Sequence, residues 1–206
     1  MTPARMTSSS KIGTTQRRGD IRRERLKQAA TMLLTESTFD AITYQDIAKR
    51  ADLPLASCYH FYPNKLALVR SIADDMTCDY LAEVFNVNFY QDRDTLKSLL
   101  ERWVEIGVTH HMRSVAELEI FFGPDIPMSV RNDSLEREKI IALRLAELVE
   151  RRLGTIALDG LSNVLYYAIE LARTCLALNY QEHRKITPKG IERAKTALTS
   201  YTLAHL

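Results

Sequence analysis

Glycine is scarce in this chain of 206 residues: there are 7, and no two are spaced to make a GxGxxG turn or a phosphate-cradling P-loop. A GxSxG elbow, an HExxH helix and an EF-hand loop are also missing, so nucleophilic hydrolase, zinc-protease and calcium-sensor chemistry have no foothold. The three cysteines, Cys58, Cys78 and Cys175, are an odd number without CxxC or Cys/His spacing. That excludes a disulfide framework or a zinc site and fits a reducing, cytoplasmic setting. No apolar run nears the roughly 18 residues of a membrane span, and the first residues are polar, without the apolar stretch of a secretory leader. We therefore expect no catalytic residues, no metal and no cofactor.

What is present is helical periodicity over long segments, with no convincing alternating strand pattern, so the fold class is all-α. About nine helices are expected. Charge is uneven. Residues 1–70 carry 12 basic and 6 acidic residues, net +6, and the remainder carries 16 basic and 20 acidic, net −4. A basic front on a mildly acidic body suits a polyanionic partner for the front. Residues 1–19, rich in Ser, Thr and Arg, read as a disordered basic arm. A first helix is expected over about Asp20 to Glu36, with Ile21, Leu26, Ala29, Ala30, Leu33 and Leu34 mostly on one face. Thr43 N-caps a short second helix, with Asp46 at the capping-box position. Pro54 opens a third, which Pro63 stops. Asn64 caps a fourth, to about Phe85. Further helices are expected from Asp92 or Asp94 to His111, Val115 to Phe122, Met128 or Asp133 to Leu153, Asp159 to Gln181, and from Pro188 after its N-cap Thr187.

The stretch YQDIAKRADLPLASCYHFY has the offsets of a helix-turn-helix. Ala48 is small at the crossing, and Ile47, Ala51, Leu53, Cys58 and Phe61 supply the apolar contacts. Asp52 occupies the turn position usually given to Gly, where a left-handed backbone is needed. The short third helix then turns Leu53, Cys58 and Phe61 inward and Leu55, Ala56, Ser57, Tyr59 and His60 outward, toward a DNA major groove.

Residues 22–70 resemble the N-terminal domain of the tetracycline-repressor (TetR) family of bacterial regulators. The likeness lies in the basic first helix, AATMLL, the FDAIT turn, DIAKRA and YHFYPNKLAL. The chain departs from the usual pattern at Thr38 and Asp52, where glycines are common, at Leu55, where a polar residue is frequent, and at Leu66, where Glu is frequent. The resemblance implies a helix-turn-helix domain over 20–66, a larger ligand-binding and dimerisation domain over 67–206, double-stranded DNA as partner, and a dimer. With the offsets it implies that Thr43, Tyr59, His60 and Lys65 contact phosphates. Arg22 and Arg23, with Arg17 and Arg18, add electrostatic grip, and Gln45, Leu55, Ala56 and Ser57 face base edges. Tyr59 also fits a wedge between helices, Thr43 a plain N-cap, and Arg22 and Arg23 a solvated surface, while Cys58 faces the core.

The segment LSNVLYYAIELARTCLALNY is apolar nearly all round and needs cover on two sides. With the last helix, where Ile191, Ala194, Leu198 and Tyr201 recur at 3–4 spacing, it suits a two-fold homodimer interface over about 159–182 and 188–205. The resemblance also implies an inducer pocket. Its candidate lining is Trp103, His110, Met112, Phe121, Phe122, Tyr166, Tyr167 and Glu170, with one of each adjacent aromatic pair pointing inward, and it suits a small apolar or aromatic ligand. His110 and His111 point about 100° apart on a helix and do not make a metal pair. The functional expectation is a dimeric repressor on a palindromic operator, released by a small-molecule inducer. A ligand-independent DNA-binding regulator or an activator working through a protein partner shares the same front.

Overall fold

Local capping chemistry sets most of the helix boundaries in the computed structural model, which describes residues 9–86, 95–154 and 160–205. Nine helices follow in order among them: α1 (Ser9–Glu36), α2 (Tyr44–Arg50), α3 (Leu55–Cys58), α4 (Lys65–Val84), α5 (Leu96–His111), α6 (Val115–Phe122), α7 (Met128–Leu153), α8 (Leu161–His183) and α9 (Pro188–Ala204). Thr43, Asn64, Thr95, Ser114 and Thr187 each sit in extended backbone and accept a hydrogen bond from an N–H of the first turn. This satisfies donors that the helix itself leaves open. Gly154, at φ 81, follows α7, a backbone that residues with a Cβ resist.

Two boundaries differ from expectation. Helix α1 begins at Ser9, so residues 9–19 of the expected arm are helical, and 1–8 lie outside the described residues. The expected starts at Asp92, Asp94 and Asp159 also lie outside them. Helix α3 is a single turn with Pro54 as its N-cap, and Tyr59 to Phe61 form a turn before Pro63. Proline's fixed φ suits either position.

The buried apolar side chains fall into two clusters. One gathers α1 (Leu26, Ala30, Leu34), the loop residues Phe39 and Ile42, α2, α3 and the first half of α4 (Leu68, Val69, Ile72, Ala73). The other gathers the end of α4 (Tyr80, Val84) with α5, α7, α8 and α9. We call them head and body. Their division falls inside α4, between Ala73 and Tyr80. Helix α6 is shared too: Ala116 and Ile120 join the head, Leu118 and Phe122 the body. Residues two apart on a helix point to opposite sides, so one short helix serves two cores.

Helices α8 and α9 form a hairpin closed at Arg184, which takes φ 53. Asn179 secures it. Its Oδ1 accepts from the Thr187 N–H at 2.8 Å, and its amide donates to Thr187 Oγ1 at 3.0 Å. Gly190 makes room, since a Cβ there would stand 2.2 Å from Asn179 Oδ1. The expected stripe of Leu161, Leu165, Ala168, Ala172 and Leu176 is buried, while Tyr167, Leu171 and Leu178 on the opposite side, and Leu203 of α9, are exposed. Among the described residues no helix is long and apolar enough to cross a membrane.

Candidate nucleic-acid interface and body cavity

The head is assembled from short-range contacts. At the start of α2 a reciprocal capping box forms. The Thr43 hydroxyl accepts from the Asp46 N–H at 3.1 Å, and the Asp46 carboxylate accepts from the Thr43 N–H at 2.9 Å. The Thr43 hydroxyl and N–H bonds hold the Asp46 carboxyl below its ordinary range. At the end of α2 the backbone reverses through Asp52, at φ 52, the left-handed conformation expected of the turn. Arg25 of α1 reaches across to Asp52 Oδ2 at 3.2 Å.

Helix α3 is anchored by Cys58, which is fully buried; burial pushes its thiol pKa up. Ala56, Tyr59 and His60 are exposed, as are Gln45 and Thr43 on α2 and Arg22 and Arg23 on α1. Arg23 pairs with Asp20 at 3.3 Å and lies over the Phe61 ring. Leu55 and Ser57 are half-buried, and Leu55 packs against the head core. This corrects the outward orientation expected of Leu55. It lies three residues before Cys58, and on a helix such residues share a face.

Tyr59 is 51% exposed and braced edge-on by Tyr44, with ring centroids 5.2 Å apart. Tyr44 was not among the expected site residues. Its hydroxyl lies 2.8 Å from the Tyr62 carbonyl and 3.1 Å from that of Cys58, so it ties α2 to the turn after α3. Burial raises its pKa to about 12. The clue in the sequence is an aromatic residue directly after the N-cap of a helix otherwise polar at its start.

Lys65 also departs from expectation. Its ammonium donates to the Phe39 carbonyl at 2.6 Å and the Ile42 carbonyl at 2.7 Å, and lies over the Phe39 ring at 4.0 Å. Burial pulls its pKa down, with Asp40 opposing. Two of its three donors thus close the loop between α1 and α2, so it is not a free point charge standing ready for a phosphate.

The body holds a cavity of about 100 Å³ lined from α4 (Thr77, Tyr80), α5 (Trp103, Gly107, His111), α6 (Phe121, Phe122), α7 and α8. Of the expected lining, Trp103, Phe121 and Phe122 are there, and both phenylalanines face it, not one. His110, Met112, Tyr166, Tyr167 and Glu170 are not part of the wall. The α5 stripe that lines it is Trp103, Gly107 and His111, spaced by four; His110 is rotated one position away. His110 instead lies between Glu83 at 2.7 Å and Glu117 at 3.1 Å. Met112 is the half-exposed C-cap of α5. Tyr166 and Tyr167 contact one another at 5.3 Å, and Glu170 pairs with Arg173 at 2.7 Å. His111 stacks on Tyr80 with centroids 5.0 Å apart, and burial lowers its pKa, against the pull of Glu117.

Comparison with known proteins adds the following. Residues 26–72 match the profile described as "Bacterial regulatory proteins, tetR family". A TetR-family transcriptional regulator from Streptomyces coelicolor is similar over 90% of this chain and 99% of its own, with 25% identity and a TM-score of 0.66. A TetR transcriptional regulator from Rhodococcus sp. RHA1 is similar in fold at 16% identity and TM-score 0.58, covering 88% of this chain and 96% of its own. A TetR family transcription regulator from Marinobacter aquaeolei VT8 is similar at 15% identity and TM-score 0.54, with 90% and 97% covered. No curated protein matches the sequence.

Proposed function

We propose that the chain, whose residues 26–72 match the TetR-family profile and which is similar throughout to a TetR-family regulator, is a DNA-binding transcriptional regulator of that family and acts as a dimeric repressor. It seats two α2–α3 units in the major groove of a palindromic operator and releases the DNA when a small molecule occupies the body. The observation that carries this reading is the exposure of Gln45, Ala56, Tyr59 and His60 on two helices whose opposite sides, through Ala48 and Cys58, are buried. Gln45, Ala56 and Ser57 read base edges, while Thr43, Tyr59 and His60 meet phosphate and sugar. Arg17, Arg18, Arg22 and Arg23 supply non-specific attraction. The second copy covers the exposed Tyr167, Leu171, Leu178 and Leu203 of α8 and α9, since apolar side chains gathered on one face are characteristic of association surfaces. Functionally we divide the chain into a DNA-binding head through residue 66 and a ligand-binding and dimerisation body from 67, with α4 common to both.

The shared helices support a mechanical route. Thr77 and Tyr80 of α4 and Phe121 and Phe122 of α6 line the cavity, while other residues of both helices sit in the head core. A ligand that favours one spacing of the two heads shifts the population away from the DNA-competent state, provided that it binds the two states differently. The cavity is small beside the roughly 300–1,000 Å³ usual for ligand sites. That observation favours, as second reading, a regulator that answers to a protein partner.

Selection of bound sequences from random DNA tests the proposal. The expected outcome is an inverted repeat with half-sites about one helical turn or more apart, with affinity falling roughly 10³–10⁵-fold between 50 and 200 mM salt. Enrichment of no sequence, or of an unrepeated one, would sink it. A metabolite screen for release separates the two readings.

A further inference from the structure

The exit of α3 is held from outside the helix. Helix α3 is four residues long, and Pro54 at its N-cap makes no side-chain hydrogen bond. A single turn closes few bonds of its own and leaves its last carbonyls open. Tyr44 reaches them. Its hydroxyl lies 3.1 Å from the carbonyl of Cys58, the last residue of α3, and 2.8 Å from that of Tyr62, beyond the turn. Tyr44 is itself the first residue of α2, directly after the N-cap Thr43. One side chain thus ties the start of α2 to the finish of α3.

The same ring meets Tyr59, with centroids 5.2 Å apart and planes at 72°, the edge-to-face arrangement that aromatic pairs favour. Tyr59 is the C-cap of α3 and 51% exposed. An exposed side chain that turns freely loses that freedom on binding, and the loss weakens association. A side chain already packed on one side has less to lose. Tyr44 is not placed to make the phosphate contact in place of Tyr59. It is half-buried, and its single hydroxyl proton is directed at two carbonyls. Its effect on DNA must therefore pass through the residue that it braces and the turn that it ties down.

We infer that Tyr44 is a positioning residue for operator binding: without touching DNA, it fixes where the Tyr59 hydroxyl stands relative to the start of α2, and so sets the register of the head on the phosphate backbone. The inference rests on the DNA-binding reading above and on the phosphate role given there to Tyr59. It separates the two tyrosines into one that contacts DNA and one that acts only through the other.

A double-substitution cycle tests it, read as the affinity of the full-length protein for the operator that selection from random DNA yields. Tyr59→Phe keeps the ring and removes the hydroxyl, and should weaken binding about tenfold. Tyr44→Phe keeps the edge-on ring and removes the tie to the carbonyls, and should weaken binding about fivefold. Because Tyr44 acts through Tyr59, the second loss should vanish once the Tyr59 hydroxyl is gone. The double variant should bind about tenfold more weakly than the parent, not the roughly fiftyfold of two independent losses. A full fiftyfold loss would make Tyr44 a merely structural residue and overturn the assignment. Phosphate ethylation interference gives a second readout. Tyr44→Phe and Tyr59→Phe should abolish interference at the same phosphate, and loss at a different one would mean that Tyr44 contacts DNA itself. Tyr59→Phe without effect would overturn the phosphate role of Tyr59 and this inference together. Operator bound by Tyr44→Phe as tightly as by the parent would overturn this inference alone and leave the regulator standing. Selection that enriches no sequence would overturn the regulator reading first, and this one with it.

Discussion

Tyr44 and Lys65 in the head place their polar ends on backbone carbonyls, whereas in the body Trp103 Nε1 and Glu138 Oε2, on residues that line a cavity, are buried without a hydrogen-bond partner among the described residues. The head handles polar groups as fasteners. The short helix α2 and the one-turn reading segment α3 have little apolar area of their own, so Tyr44, Lys65 and the Thr43–Asp46 box hold them in register. The body has five helices to bury and does not need such fasteners everywhere. It tolerates unpaired polar atoms and a gap, and a cavity of this kind forms only where packing is left incomplete. The lesson is that the fate of a buried polar group separates a part packed to keep its shape from a part packed around a gap.

The sharpest way to break this contrast is to divide the dimer while leaving head and cavity intact. Leu171→Glu, on the exposed side of α8, should yield monomers by sedimentation and weaken operator binding by about 10²–10⁴-fold through lost avidity. A dimer that persists would show that another face associates. Next in size, Lys65→Ala removes two charge-assisted hydrogen bonds to carbonyls and should lower stability by about 2–3 kcal/mol in urea unfolding. It should leave the salt slope of DNA binding unchanged. A slope flattened by about one unit with unaltered stability would return Lys65 to the phosphates.

A pH series probes the body's own fastener. Hydrogen bonds from Arg113 and His110 hold the Glu83 carboxyl below its ordinary 4.5. The folded pKa is thus below the unfolded one, and the group's contribution is present above about pH 4.5 and lost as pH falls through the folded value. Glu83→Gln should therefore lower stability near neutrality, where the ionised carboxylate contributes, and flatten the acid limb below about pH 4.5, so that the variant and the parent converge in acid. The smallest effects are expected at Asp52. Replacement by Gly should shift stability by less than about 1 kcal/mol, because relief of the left-handed backbone is offset by chain entropy. Asp52→Val should cost about 1–2 kcal/mol, both changes read from unfolding midpoints.

Much of the head is legible in the sequence because its determinants are local. Thr43, Asn64 and Thr187 cap helices through hydrogen bonds reaching three residues along the chain. Asp52 needs only its own φ, and Cys58 turns inward as the helix offsets predict. The errors fall where phase or distance matters. One residue of phase on α5 decides whether His110 or His111 faces the cavity, and periodicity averaged over a helix does not resolve a rotation of about 100°. Lys65 misleads because its partners, Phe39 and Ile42, lie 26 and 23 residues earlier.

The order of helices, the turn at Asp52, the buried Cys58 and the uneven charge follow from the sequence by itself, since each depends on neighbours within about one helical turn or on composition alone. Which side Lys65 turns to, the bracing of Tyr59 by Tyr44, the sharing of α4 and α6 between two cores and the buried atoms of Trp103 and Glu138 without a partner among the described residues were decided only by tertiary structure. Those features require side chains from separate helices to meet within a few ångströms, and spacing along one helix carries no information about what another brings to it.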